Sequence, residues 1–179
     1  MGKYFDELIR TMDWLASDSR TLFLGQSVKW DGHSLFKSLK NVPDHKRLEM
    51  PVAEDFQMGF SIGLALQGTI PISVYPRWDF LLLAANQLVN HLDKIPIVSG
   101  GGFRPKVIIR VSVGSTQPLN PGPQHCQNHT EAFKKMLQTV EVMDLQEADQ
   151  IFPAYYRAMT RTDGKSTLLV EHADYYNGV

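Results

Sequence analysis

Cysteine is almost missing from this chain. Cys126 is the single one among 179 residues. One thiol can form neither an internal disulfide nor a cysteine-rich metal site, which fits a reducing compartment. Long apolar runs are missing too: no stretch approaches the ~20 residues that span a bilayer. The opening segment, MGKYFDELIRTMDWLASDSR, is acidic and amphipathic and lacks the basic region and apolar core of a signal peptide. Neither charge is in excess. Lys and Arg number 18 against 19 Asp and Glu, a net charge of −1 at pH 7, so nothing draws the surface toward nucleic acid or an anionic membrane. No G-x-G-x-x-G opens a helix after the first strand, which removes the plain dinucleotide-binding reading. Together these absences predict a cytoplasmic protein with neither nucleic acid nor membrane as partner.

What is present reads as one α/β domain over residues 1–179, with 43% hydrophobic and 21% charged residues. Tyr4, Leu8, Met12 and Leu15 recur at helical spacing and predict a helix over 3–17. Thr21 to Gly25 is a short buried strand. Residues 26–46 are polar and irregular, with a short helix around Leu35 to Leu39. Ala53 to Gln67 is a buried helix in which Gly59 and Gly63 permit close packing. Ile70 to Val74 is a strand, and Asp79 to Leu92 a helix with Asp79 as candidate N-cap. Residues 95–105 are a Gly/Pro-rich link. Val107 to Val113 is the strongest strand, followed by a long polar loop over 114–129. Thr130–Leu137 and Gln146–Thr160 read as helices, and Val140–Met143 and Thr167–Val170 as strands. This alternation implies a mostly parallel sheet with helices on both faces.

Three segments carry candidate chemistry. Glu54 opens an apolar helix, where the helix dipole alone would favour an acid. Asp79 and Phe80 lie between a strand end and a helix, where open α/β sheets form their ligand crevice; Trp78 and Phe80 could equally be packing residues. His125 lies in the long loop, where a histidine can give or take a proton near neutral pH, though a solvated loop histidine is the plainer reading. His125 and His129 are four apart, but no third ligand lies nearby in sequence, so no metal site is expected.

In order and spacing these segments resemble the transketolase-like pyrimidine-binding domain, most like the N-terminal half of 2-oxo-acid dehydrogenase (pyruvate or branched-chain) beta subunits. The family's P-x-x-E before a glycine-containing helix is matched by Pro51-Val-Ala-Glu54 and FQMGFSIGLALQG. Its aromatic after Asp or Asn, with a helix closing in D-Q-x-V-N, is set against Asp79-Phe80 and LLLAANQLVN. Its G-x-x-H-S-Q loop is matched by Gly122-Pro-Gln-His125-Cys-Gln127. LLVEHADYY resembles the family's closing strand, so the likeness spans residues 21–177.

The resemblance implies a thiamine-diphosphate-binding fold and a role for each matched residue. Glu54 would hydrogen-bond the pyrimidine ring nitrogen of thiamine diphosphate and favour the imino tautomer, whose exocyclic nitrogen takes the thiazolium proton. Phe80 would stack on the aminopyrimidine, and His125 would face the substrate carboxylate or the intermediate. Two departures stand out. Gly25-Gln26-Ser27 replaces the family's G-E-D. A Gly-Asp-Gly followed later by Asn-Asn, the diphosphate motif, is absent, and Thr162-Asp-Gly164 has no such sequel. The chain is therefore expected to supply half a cofactor site and to be inactive alone. The diphosphate and its Mg²⁺ would be held by a pyrophosphate-binding, alpha-type subunit, in a homodimer or heterotetramer without a C-terminal transketolase-type domain. The alternative is a non-catalytic dimerisation or regulatory module derived from the same domain.

Overall fold

The computed structural model describes residues 2–31 and 33–177. Its strands are β1 (Thr21–Gly25), β2 (Arg47–Glu49), β3 (Ile70–Tyr75), β4 (Ile108–Val113), β5 (Glu141–Asp144) and β6 (Thr167–His172). They form one sheet in the order β2-β1-β3-β4-β6-β5, and every neighbouring pair is parallel. The helices are α1 (Lys3–Ala16), α2 (Ser34–Lys37), α3 (Glu54–Leu66), α4 (Trp78–Leu81), α5 (Ile95–Val98), α6 (Thr130–Met136) and α7 (Ala148–Thr160). Among the described residues no helix is long and apolar enough to cross a membrane.

A parallel sheet covered on both faces needs strands that are apolar throughout. β3 is buried along its whole length, and β4 and β6 along all but their last residue. On one face α1 and α7 pack Leu8, Met12, Leu15, Ile151 and Tyr155 against Phe23, Ile72, Ile108 and Leu169. Each such side chain contributes about 1.5–3 kcal/mol by leaving water. On the other face Met58 and Ile62 of α3, with Trp78, Leu81, Leu88 and Phe133, cover Tyr75, Ile109, Val111 and Leu168. The expected α/β architecture is thus the observed one.

Four local features differ from the sequence reading. β2 is an added edge strand, three residues long, inside a stretch that carries no alternating apolar pattern. The expected helix over 79–92 is instead α4, a 3₁₀ turn at Leu82–Ala84 and a π-type turn at Gln87–Leu92. No glycine or proline signals these breaks. The widened last turn delivers Asp93 beneath the approach to β5, where its carboxylate accepts the backbone N–H groups of Gln138, Thr139 and Val140. Asp79 is not the N-cap. Arg77 holds that position with extended backbone angles, and the Asp79 carboxylate accepts from Gln127 Nε2 at 2.6 Å. Finally, the Gly/Pro-rich link contains α5, whose proline sits at the first turn, where a missing N–H costs nothing.

Among the described residues one charged pair lies wholly inside. Arg110 of β4 donates Nε–H and Nη2–H to the two oxygens of Glu171 of β6 at 2.6 and 2.9 Å, with both side chains fully buried. Tyr155 of α7 and Tyr176 add hydroxyl donors to Glu171 at 2.7 and 2.6 Å. Burial, then the Glu171 carboxylate, pushes both tyrosines well above the usual phenol range. Burial works against the Arg110 charge, but Glu171 outweighs it and holds the guanidinium charged.

Candidate functional site

The sheet's topology fixes where a crevice must open. From β1 the chain runs to β2 on one side, and from β3 it runs to β4 on the other. The connections diverge between the carboxyl ends of β1 and β3, which is where open α/β sheets bind ligands. A cleft of about 310 Å³ lies there. It is lined by Gln26, Ser27 and His33 after β1, Pro76, Arg77 and Phe80 after β3, and Pro121 and His125 of the loop after β4.

Close backbone approaches hold the walls. Gly25, at φ +147°, ends β1 so near β3 that any Cβ there would overlap the Val74 carbonyl. The loop after β1 is pinned by Glu49 of β2, whose carboxylate accepts the N–H groups of Ser27, Val28 and Lys29 at 2.7, 2.9 and 2.6 Å. β2, which the sequence pattern did not reveal, therefore carries the residue that shapes this wall. The loop over 114–129 is fastened at several points. Asp174 accepts from Thr116 N–H at 2.8 Å and Ser115 Oγ at 2.7 Å. Arg77 Nη1 donates to the His125 carbonyl at 2.9 Å. A Cβ at Gly114 would collide with that same carbonyl and guanidinium.

Glu54 is the first residue of α3 and only 4% exposed. Its Oε1 accepts from Gln26 Nε2 at 3.0 Å, and Gln26 itself lines the cleft. Phe80 and His125 meet edge to face, ring centroids 5.9 Å apart. The fold therefore brings Phe80 and His125 together and sets Glu54 behind Gln26 at the same opening. His129 turns away to pack on Trp78, centroids 6.1 Å apart. Under the cleft the buried Gln57 donates Nε2–H to the Val74 carbonyl at 2.9 Å and to Ser73 Oγ at 3.2 Å, tying α3 to β3.

Sequence reasoning missed His33 and Arg77. His33 precedes α2, and its Nδ1 accepts the Leu35 N–H at 3.2 Å. Burial, then the nearby charges of Arg77 and Arg110, pushes His33 down to about 4 from its ordinary 6.5, so the ring is neutral at pH 7. The run Asp31-Gly-His33-Ser34 carries a capping signal, but only the fold brings it to the strand end.

A larger cavity, about 610 Å³, opens at the other end of the sheet beside Trp14, Arg20, Lys106 and Arg161. Its charges are satisfied within the fold. Asp18 and Asp163 chelate Arg20 and Arg161, and Lys106 donates to the Met159 and Arg161 carbonyls closing α7. The cleft at the strand carboxyl ends is the functional candidate.

Comparison with known proteins identifies the family of the chain. The family profile described as "Transketolase, pyrimidine binding domain" matches residues 7–177. A pyruvate dehydrogenase E1 component subunit beta from Gracilaria tenuistipitata var. liui is 34% identical over 135 residues, covering 73% of this chain and 41% of that subunit. The subunit named beta-3, chloroplastic, from Oryza sativa subsp. japonica is 31% identical over 136 residues, covering 75% and 33%. A solved structure titled "Split gene transketolase, inactive beta4 tetramer" superposes with a TM-score of 0.68 at 16% identity, over 95% of this chain and 49% of that one. The chain thus spans half or less of the length of these proteins. The relatives overturn the cytoplasmic expectation, since they include subunits named as chloroplastic. A lone thiol fits any reducing compartment and cannot tell one from another.

Proposed function

This chain belongs to the transketolase pyrimidine-binding domain family, and from that premise we propose that it supplies the pyrimidine-facing half of a thiamine-diphosphate enzyme acting on 2-oxo acids. The observation that carries the reading is Glu54: a buried carboxyl opening α3, held by Gln26 at 3.0 Å, beside a cleft that contains Phe80 and His125. The donor set fits an aminopyrimidine. Glu54 Oε1 is occupied by Gln26, while Oε2 makes no hydrogen bond among the described residues and can accept from a protonated ring nitrogen. Phe80 is half-buried on the cleft wall and offers a planar apolar surface. When bound, the cofactor supplies a carbanion-stabilising electron sink. This chain's part is to hold a proton at Glu54, to position the ring plane with Phe80, and to place the His125 imidazole at the mouth, where it can exchange a proton with substrate. An alpha-type subunit would hold the diphosphate and its Mg²⁺.

Calorimetric titration with thiamine diphosphate and Mg²⁺ tests the division of labour. The chain alone is expected to bind weakly or not at all, and the chain with a diphosphate-binding partner to bind tightly. Micromolar binding by the lone chain would refute the half-site. One observation favours the second reading, a non-catalytic module: Gln26 stands where the family carries an acid and occupies one Glu54 oxygen. A complex that binds the cofactor yet turns over no 2-oxo acid would decide for that module.

A further inference from the structure

The cleft is lined by hydrogen-bond donors and by no carboxylate. Among the described residues neither Asp nor Glu lines it; of the acids that touch its lining, Glu49 accepts the Ser27 N–H and Glu54 Oε1 accepts from Gln26. Arg77 brings a full positive charge. Among the described residues only its Nη1 is engaged, on the His125 carbonyl, which leaves the rest of the planar fork for a ligand. That contact also fixes where the fork can point, because the loop it holds is itself anchored at Asp174.

His33 adds a donor of defined identity. Its Nδ1 accepts the Leu35 N–H, so in the neutral ring the proton resides on Nε2. Ser27, at φ +58°, is locked by the Glu49 contact and brings a hydroxyl to the same wall. A guanidinium fork, an imidazole N–H and a hydroxyl lining one small cleft are the chemistry of an oxyanion subsite.

We propose that Arg77 and His33, with Ser27 at the rim, bind a compact oxyanion of the substrate, its carboxylate or its phosphate, and so make Arg77 the specificity-determining residue of this half-site. The assignment rests on the crevice being the substrate-facing side of the site described above. It adds to that reading two residues outside the Glu54–Phe80–His125 set.

The test uses the full chain with labelled histidine and arginine, observed by NMR and titrated separately with pyruvate and with inorganic phosphate. Chloride at matched ionic strength is the control. The expected result is saturable movement of the His33 Nε2 and Arg77 guanidinium resonances, with dissociation constants on the order of 1 mM. The tighter of the two probes identifies carboxylate or phosphate as the source. Arg77→Gln should weaken binding by about tenfold or more, and Arg77→Lys by less, since charge is kept but the fork is lost. His33→Asn retains a capping side chain while removing the ring N–H, and should weaken binding several-fold. The His125 ring resonances, shifted by Phe80, report whether the loop stays docked in each variant. Non-saturating shifts with both probes, or unchanged binding in Arg77→Gln and His33→Asn, would overturn the proposal. Failure of the cofactor reading shows separately, as a complex with partner that takes up no thiamine diphosphate.

Discussion

Glu54 can be separated from its surroundings by one atom. Glu54→Gln keeps the shape and the Gln26 contact region but cannot share a proton with a ring nitrogen. With a partner present, turnover is expected to fall by a factor of ~10²–10⁴, while stability changes by no more than ~0.3–1 kcal/mol. Melting temperature measured beside turnover distinguishes a proton-handling residue from a helix-end charge, which would show only the second effect. His33 gives a pH prediction. Its folded value of about 4 lies below the ordinary 6.5, so unfolding takes up a proton between those values. Stability from this group is full above about pH 6.5 and declines as pH falls toward 4. Melting temperature should drop across that window, and His33→Asn should remove part of the drop; an unaltered profile would mean the ring is solvated. Glu54, Phe80 and His125 were legible because each follows a recognisable local string. His33 and Arg77 were not, because what marks them is proximity across the crevice, and nothing in Asp31-Gly-His33 or Pro76-Arg77 points to the other.

At the scale of elements, strands and long helices were readable because a doubly covered parallel sheet writes continuous apolar runs such as VIIRVSV. β2 escaped because an edge strand of three residues, none of them fully buried, has no pattern to show. The departures over 78–92 escaped because they answer a distant need, the seating of Asp93. That carboxylate has no accessible surface and serves three backbone N–H groups, the Thr139 hydroxyl and Lys94. Burial alone would raise its pKa, but Lys94 and those N–H groups hold it below the usual carboxylate range. Asp93→Asn keeps the shape and weakens every bond. It is expected to cost about 1–3 kcal/mol in chemical denaturation, with faster amide exchange at 138–140 as the local sign. At the end of β1, Gly25→Ala should be worse tolerated than either site variant, since its Cβ has nowhere to go but into β3; thermal melting checks this directly.

For the whole molecule, the outer face of α3 is an apolar surface open to water. Phe56 is 57% and Phe60 37% exposed. Their rings stack at 5.9 Å beside a groove of about 590 Å³ over Gly59 and Gly63. Apolar patches of this kind mark interfaces, and self-association through this face is expected. Sedimentation at tens of micromolar, a usual range for weak interfaces, should show a dimer that Phe56→Asp converts to monomer. A monomeric parent chain would count against it. The Arg110–Glu171 pair bears on the molecule in another way. Its hydroxyl donors come from α7 and from the turn containing Tyr176, and its two charges from neighbouring central strands. Parting β4 from β6 would strand a charge in the interior, a loss of roughly 3–5 kcal/mol, and lifting α7 away would take the Tyr155 hydroxyl from Glu171. Opening between the two central strands is thereby made costly. The amides of β4 and β6 should exchange with deuterium only through global unfolding, and protease should find either the intact domain or the fully opened chain.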